Sequence, residues 1–216
     1  MIPNRPVETE RRRLPARIVA ATHNVGKLRE IRELLAPHGV NAVGATELNL
    51  GEPHETGLTF GENAALKAAS AARASGEPAL ADDSGLCVEA LGGAPGICSA
   101  RWTGASKDFR AAMSRIETEL RASGAPKPWR AHFISALALA WPDGRIDAFE
   151  GRIDGDLVFP ARGTAGFGYD PIFRPDGHER TFGEMTAEEK HGIPPDGSIA
   201  LSHRARAFQK FARACL

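Results

Sequence analysis

Two adjacent aspartates, Asp82 and Asp83, constrain this chain more than any other feature of its sequence. They follow the short apolar run 79–81 and are followed at once by Ser84 and Gly85. An apolar run that ends in two acids and a glycine predicts a strand that delivers charge to the edge of a sheet. In open α/β sheets that edge is where ligands bind. The alternative is a turn, because Asp-Ser-Gly is favourable turn chemistry.

The paired carboxylates also predict a cation. Two negative charges that share one position repel each other and lose hydration energy unless a positive charge lies between them. Mg²⁺ is the expected ion, since it prefers carboxylate oxygens and the phosphate oxygens of a substrate. The two aspartates therefore predict a divalent-cation site at this strand.

The apolar spacing near the beginning of the chain predicts an α/β fold. Residues 17–22 indicate a first strand, and Leu28, Ile31 and Leu35 then recur at helical spacing behind the cap residue Asn24. A short second strand over residues 40–43 completes a β-α-β opening. The further predicted elements are a helix from Thr59 to Ser75, a helix over 108–122, a hairpin of 131–141 with 145–153, and a closing helix over 205–216.

Composition excludes several classes of protein. The 216 residues carry a formal net charge of zero, which argues against nucleic-acid binding as the main function. No apolar run approaches the length of a membrane span, so no membrane partner is expected. The three cysteines form no Cys-x-x-Cys pair, which fits a reducing, cytoplasmic location. We expect residues 1–16 to be a flexible extension and residues 17–216 to be a single domain.

A second polar segment directly follows the first predicted strand. Small, polar and basic side chains there precede a helix, whose backbone N–H groups and dipole favour an anion. The segment lacks the first glycine of a Walker A loop, where Ala21 stands, and the Ser or Thr after the lysine, where Leu28 stands. The alternative is an ordinary helix cap followed by a solvated lysine. The residues concerned are Thr22, His23, Asn24, Val25, Gly26 and Lys27.

Three further segments carry possible ligand contacts. Glu55 is a possible metal ligand or a surface acid. In the glycine-rich segment 166–171, Phe167 could stack on a base, or the segment could be a tight turn. His203 and Arg204, with Lys190 upstream, could bind a base edge or a phosphate, or could simply open a helix. Ser202-His203 has no accompanying nucleophile elbow of a hydrolase.

Together these segments resemble the inosine triphosphate pyrophosphatase family, whose members hydrolyse noncanonical purine nucleoside triphosphates. The likeness runs from about Arg17 to the C-terminus, and its strength lies in the order and spacing of several modest motifs. They are Thr22-x-Asn24-x-x-Lys27, Glu55-Thr56-Gly57-x-Thr59-Phe60-x-Glu62-Asn63-Ala64, Ala81 to Leu86, Gly92-Gly93-Ala94-Pro95-Gly96, Ser99-Ala100-Arg101, Gly166 to Phe173 and Ser202-His203-Arg204.

The resemblance implies a two-lobed α/β/α fold with a long central mixed sheet, a cleft between the lobes, Mg²⁺ dependence and a homodimer. It implies that residues 22–27 line the triphosphate site, that Glu55 and Asp83 hold Mg²⁺, and that Asp83 accepts a proton. The residues that it places against the nucleotide are Ser84, Phe167, Gly168, Tyr169, Asp170, Lys190, His203 and Arg204. Two departures from the family pattern are His23 and the longer segment 191–201.

The expected reaction is hydrolysis of inosine and xanthosine triphosphates, or their deoxy forms, to the monophosphate and pyrophosphate. Asp83 removes a proton from water, Lys27 holds the departing pyrophosphate, and donors including His203 or Arg204 read the 6-oxo group of the base. The alternatives are a pyrophosphatase for other modified nucleotides and a nucleotide-binding sensor without turnover. We expect residues 191–201 to form a flexible segment that orders when nucleotide binds.

Overall fold

A six-stranded mixed sheet forms the centre of the computed structural model, which describes residues 12–216. The strand order is β2-β1-β3-β4-β5-β6. The strands are β1 (Arg17–Ala20), β2 (Asn41–Gly44), β3 (Ala79–Val88), β4 (Trp129–Ala140), β5 (Ile146–Leu157) and β6 (Phe173–Pro175). The α-helices are α1 (Val25–Leu35), α2 (Phe60–Ser75), α3 (Phe109–Ser123), α4 (Ala187–His191) and α5 (His203–Cys215).

Side-chain caps begin the main helices where the sequence predicts them. The Asn24 side chain accepts from the first turn of α1, Thr59 from Glu62 N–H, and Asp108 from the first turn of α3. Ser202 caps α5, which therefore begins two residues before the predicted helix 205–216. Each cap satisfies backbone donors that have no partner inside the helix.

The sheet changes from parallel to antiparallel at β3. β1 runs parallel to both β2 and β3, whereas β3, β4, β5 and β6 pair in an antiparallel manner. The predicted hairpin is confirmed as β4 and β5, whose tight turn closes with Trp141 N–H donating to the Arg145 carbonyl at 2.8 Å. The long hairpin gives β3 a full-length neighbour on one side.

The expectation that the strand ends at Asp82 and Asp83 is wrong. β3 continues to Val88, and both aspartates lie within it, paired with Leu137 and Ala136 of β4. The reason is that β4 carries on the hydrogen-bonded ladder, while β1 pairs with β3 only as far as Leu80. The acids therefore lie beyond the end of β1, so β3 has a free edge at these residues on the side of β1 but not on the side of β4.

Three apolar clusters cover the sheet and define two lobes. On one face, Leu80 belongs to a cluster with α1 and α5, whereas Leu86 and Val88 belong to a second cluster with α3 and β6. Asp82 and Ser84 fall between these two clusters along β3. The third cluster, built on alanines of α2, covers the opposite face. The expected α/β architecture with a cleft between two lobes is confirmed, and the cleft opens over the middle of β3.

The predicted extension over 1–16 lies mostly outside the described residues. Where it is described, Leu14 N–H donates to the Cys215 carbonyl at 3.1 Å and Arg12 pairs with Asp143. Among the described residues, no helix is long and apolar enough to cross a membrane.

Candidate active site

The two aspartates of β3 point to opposite faces of the sheet. Successive residues of a strand alternate between faces, so Asp82 shares its face with Leu80, and Asp83 shares its face with Ala81. The expectation that both carboxylates meet at one position with a cation between them is therefore wrong. Each carboxylate has cations of its own instead.

Asp82 is the centre of a buried charge network. It is 2% exposed, and its carboxylate contacts Lys27 Nζ at 2.9 Å, Arg204 Nη2 at 3.2 Å and Ser135 Oγ at 2.7 Å. Burial alone would raise the pKa of Asp82, but Lys27 and Arg204 lower this pKa far below its usual range. Asp82 is consequently a permanent anion that holds two cations in place.

Asp83 has a different environment on the other face. Lys67 Nζ of α2 donates to Asp83 Oδ1 at 2.7 Å and to Glu55 Oε1 at 3.0 Å. Burial raises the pKa of Asp83 above its ordinary value, and the opposing effect of Lys67 does not cancel that rise. Burial would raise the pKa of Glu55 as well, but Lys67 and Arg101 lower it overall. Of these acids, Asp83 is the one whose affinity for a proton is raised, as a general base requires.

The segment after β1 folds around the cap of α1. Asn24 Oδ1 accepts from the N–H groups of Gly26 at 2.9 Å and Lys27 at 3.2 Å, and Thr22 Oγ1 accepts from Asn24 N–H at 3.1 Å. The cap thus uses two of the N–H groups that the sequence assigned to an anion. The helix dipole and the Lys27 ammonium remain as sources of positive potential. Val25 is exposed, and His23 Nε2 lies 2.9 Å from the Leu50 carbonyl.

A cavity of about 550 Å³ lies between the lobes, next to the Asp82 network. Its walls come from α1, the 166–167 loop, the 185–192 segment and the beginning of α5. Phe167 is 42% exposed there, with its ring 5.9 Å from the Arg204 guanidinium. The volume and the exposed ring suit a flat ligand larger than a phosphate group.

The loop that carries Phe167 is held by a buried ion pair. Lys190 Nζ donates to Asp170 Oδ2 at 2.5 Å, and the same oxygen accepts from Phe167 N–H at 2.9 Å. Gly166 has a φ of +72°, and a Cβ there would lie 2.1 Å from Asp170 Oδ2. Glycine is therefore required for the loop to close over the pair.

Several predicted contacts are engaged inside the protein. Tyr169 is buried, and its hydroxyl donates to the Ser99 carbonyl at 2.8 Å. His203 is buried, and its ring stacks on Phe133 with the ring centroids 4.8 Å apart. Burial, followed by the charges of Arg204 and Lys190, lowers the pKa of His203 well below its ordinary value.

Arg204 pairs with Glu30 at 2.6 Å and with Asp82, and it also donates to Ser84 Oγ at 3.1 Å. Gly168, with a φ of +72°, packs near Phe109.

The structure also contains site residues that the sequence interpretation did not assign: Lys67, Glu30 and Ser135. Lys67 had a detectable signal, because it lies on the same helical stripe as Ala64, Ala68 and Ala71, all of which are buried. A lysine on an apolar stripe requires an acidic partner. Glu30 and Ser135 had no detectable sequence signal, since their partners lie more than 50 positions away along the chain.

A divalent cation would find two acidic side chains on the Asp83 face. Among the described residues, no group of three or more His, Cys, Asp or Glu side chains is arranged to hold a metal ion. Glu55 and Asp83 both contact the Lys67 ammonium, Glu55 also lies 3.5 Å from Arg101, and burial keeps the pKa of Asp83 raised despite Lys67. Two carboxylates joined by one lysine fit Mg²⁺, which is commonly bound by one or two carboxylates and by substrate phosphates.

Fold and site together define an α/β protein whose cleft combines buried acids with the lysines and the arginine that neutralise them. The sequence profile of the Ham1 family matches residues 18–214. The chain belongs to the Ham1 family.

Close relatives share nearly the whole chain. A protein named dITP/XTP pyrophosphatase from Bradyrhizobium sp. is 62% identical over 97% of this chain and 99% of its own length. A protein of the same name from Rhodopseudomonas palustris is 62% identical over 95% of this chain and 98% of its own. The structure of a HAM1 protein from Coxiella burnetii superposes with a TM-score of 0.81 and 35% identity, covering 91% of this chain and 96% of the other.

Proposed function

We propose that this protein hydrolyses noncanonical purine nucleoside triphosphates, namely ITP, XTP and their deoxy forms, to the nucleoside monophosphate and pyrophosphate. Full-length relatives at about 62% identity are named dITP/XTP pyrophosphatase, which supports this activity. The structural observation that carries the proposal is that β3 separates a candidate base from a pair of cations on its two faces. Asp83 has a raised pKa on one face, and Lys27 and Arg204 are held beside a cavity on the other.

Asp83 serves as the general base in the proposed reaction. It takes the proton from the water that attacks the α-phosphorus, and Lys67 holds the carboxylate in position throughout. The bond between the α-phosphorus and the bridging oxygen breaks, and pyrophosphate departs with that oxygen. Lys27 and the positive end of α1 stabilise the negative charge of the departing group.

Mg²⁺ is the proposed cofactor, and Glu55 and Asp83 would hold it. When bound, the ion supplies Lewis-acid stabilisation of phosphate charge. The two carboxylates contribute hard oxygen ligands, and Lys67 keeps them aligned while it contacts both. We further propose a homodimer, on the basis of the family resemblance, and a cytoplasmic location, which the three free cysteines support.

The base is proposed to occupy the cavity between the lobes. Phe167 offers an exposed ring for stacking, and the Asp170–Lys190 pair fixes the loop that presents this ring. Inosine and xanthine carry a 6-oxo acceptor where adenine carries an amino donor. A wall that offers hydrogen-bond donors would leave those donors unpaired against adenine, which is the stronger form of selectivity.

Product analysis on a panel of triphosphates tests this function. Purified protein with Mg²⁺ is incubated with ITP, XTP, dITP, ATP, GTP and a modified pyrimidine triphosphate, and both phosphate products are quantified. We expect monophosphate and pyrophosphate from the 6-oxo purines ITP, XTP and dITP, at much higher kcat/KM than from ATP or GTP. Release of orthophosphate would contradict attack at the α-phosphorus. Tight binding without turnover would indicate a sensor instead.

A further inference from the structure

The cavity wall contains a histidine, His191, at the beginning of the longer segment 191–201. The sequence predicts a flexible segment here, but its first residue ends α4 and its last part is attached to α5. Ala200 is fully buried, its N–H donates to Gln209 Oε1 at 2.9 Å, and Gln209 Nε2 donates to the Ser198 carbonyl at 2.7 Å. Both ends of the segment are therefore fixed, and His191 has a defined position on the wall.

The hydrogen bond to Ser202 determines which ring nitrogen of His191 carries the proton. His191 Nδ1 lies 2.9 Å from Ser202 Oγ, and this oxygen also accepts from Ala205 N–H at 3.2 Å. Ser202 is completely buried, and His191 Nδ1 is the acceptor within reach of its hydroxyl hydrogen among the described residues. Because an unpaired buried hydroxyl hydrogen is costly, Ser202 donates to Nδ1. The ring proton then lies on Nε2.

The Nε2–H group is available to a ligand. In the described part of the chain Nε2 has no hydrogen-bond partner, and because this atom is not fully buried, it is accessible. Two cationic groups of the wall are already engaged, because Lys190 pairs with Asp170 and Arg204 pairs with Glu30 and Asp82. Burial, followed by the charges of Lys190 and Arg204, lowers the pKa of His191 to about 3. At neutral pH the ring is an uncharged donor.

We propose that His191 is a specificity-determining residue whose Nε2–H donates a hydrogen bond to the 6-oxygen of the purine base. This inference rests on the proposed function, because it assumes that the cavity takes the base. A 6-oxo group accepts this hydrogen bond, whereas the 6-amino group of adenine presents its own hydrogens to Nε2–H. The uncharged ring also avoids a third positive charge beside Lys190 and Arg204.

Two conservative substitutions separate the functions of the two ring nitrogens. His191→Asn keeps a polar atom near Nδ1 for Ser202 but removes the donor at the position of Nε2. His191→Gln extends an amide to the position of Nε2. The substrates are ITP and the triphosphate of purine riboside, which has hydrogen at position 6. The measured quantity is the ratio of kcat/KM between these two substrates, in which any loss of folded protein cancels.

We expect His191→Asn to lower the ratio roughly 3- to 10-fold, the effect of one lost neutral hydrogen bond, and His191→Gln to keep it within about twofold. Nitrogen NMR of the wild-type protein should show a proton on Nε2 of His191 and none on Nδ1. An unchanged ratio in His191→Asn, or a proton on Nδ1, would overturn the inference. Wild-type protein that does not cleave ITP would instead refute the proposed function, so the two failures are distinguishable.

Discussion

Neutralising the two aspartates of β3 one at a time should produce opposite defects. Asp83→Asn should remove nearly all activity and leave the fold intact, whereas Asp82→Asn should destabilise the fold. The two substitutions make the same chemical change at neighbouring positions of one strand. Each variant therefore serves as the matched control for the other.

The size of each effect follows from the surroundings of the carboxylate. Removing a general base lowers the rate by roughly 10²- to 10⁴-fold, so kcat of Asp83→Asn should fall within that range. Because the pKa of Asp83 is raised on folding, its negative charge opposes the folded state at neutral pH. A neutral amide at this position removes that cost, and Lys67 keeps Glu55 as an acidic partner, so the free energy of unfolding should change little.

Asp82→Asn removes the anion that Lys27 and Arg204 share. Both cations are mostly buried, and of the ion pairs that Arg204 forms with described residues, the one with Glu30 would remain. Breaking a buried ion pair by removing one partner costs about 3–5 kcal/mol, so the free energy of unfolding should fall by that amount.

Pyrophosphate release from ITP and urea-induced unfolding measure the two properties on the same preparations. The urea concentration at the midpoint of unfolding should be lower for Asp82→Asn and unchanged for Asp83→Asn. The slope of the unfolding free energy against urea should be similar in both variants and in the wild type. The reasoning would be refuted if Asp83→Asn retained wild-type turnover, or if Asp82→Asn unfolded at the same urea concentration as the wild type.

Three further predictions follow from the same site. On acidification, activity should be lost at a higher pH than the fold. The rate falls as Asp83 becomes protonated, at a pH above the ordinary aspartate pKa, whereas the contribution of Asp82 to stability is complete above its unfolded pKa and is lost only as the pH falls through its much lower folded pKa. Rate and circular-dichroism profiles measured against pH check this order, and coincident midpoints would contradict it. Chelation of divalent cations should abolish turnover and added Mg²⁺ should restore it, while Lys67→Met should remain inactive at any Mg²⁺ concentration. Phe167→Ala should raise KM for every purine triphosphate by roughly 5-fold or more, because base–aromatic stacking contributes about 1–3 kcal/mol; a change confined to ITP would argue against stacking.

Local patterns predicted the elements of this fold well. The caps Asn24 and Thr59 each precede the helix that they were expected to begin, and Asp108 caps the helix predicted over 108–122, because capping is a short-range interaction. The β4–β5 hairpin was equally visible, because Pro142-Asp143-Gly144 between its two halves is a local turn signal. The sequence interpretation ended β3 too early, because the pairing with β4 joins residues about 50 positions apart. The residues around Asp82 and Asp83 do not indicate such a distant partner.

The site was predictable as a set of residues but not as a set of contacts. The sequence indicated Lys27, Asp82, Asp83 and Arg204, yet it could not tell that alternation along β3 would separate the two acids onto opposite faces. Nor could it pair Arg204 with Glu30, which lies 174 positions earlier. Such pairings depend on how the helices pack against the sheet, and this is a property of the whole fold.

The position of Arg204 imposes an order on how sequences of this kind can change. Its guanidinium holds Glu30 of α1 and Asp82 of β3 from the first turn of α5. If Arg204 were replaced first, two acids would face each other without the cation that they share. Loss of the acid at position 30 leaves the arginine still paired with Asp82, so that step can precede the other. Natural relatives that lack an arginine at position 204 should therefore also lack an acid at position 30, and a relative that keeps both acids without the arginine would contradict this order.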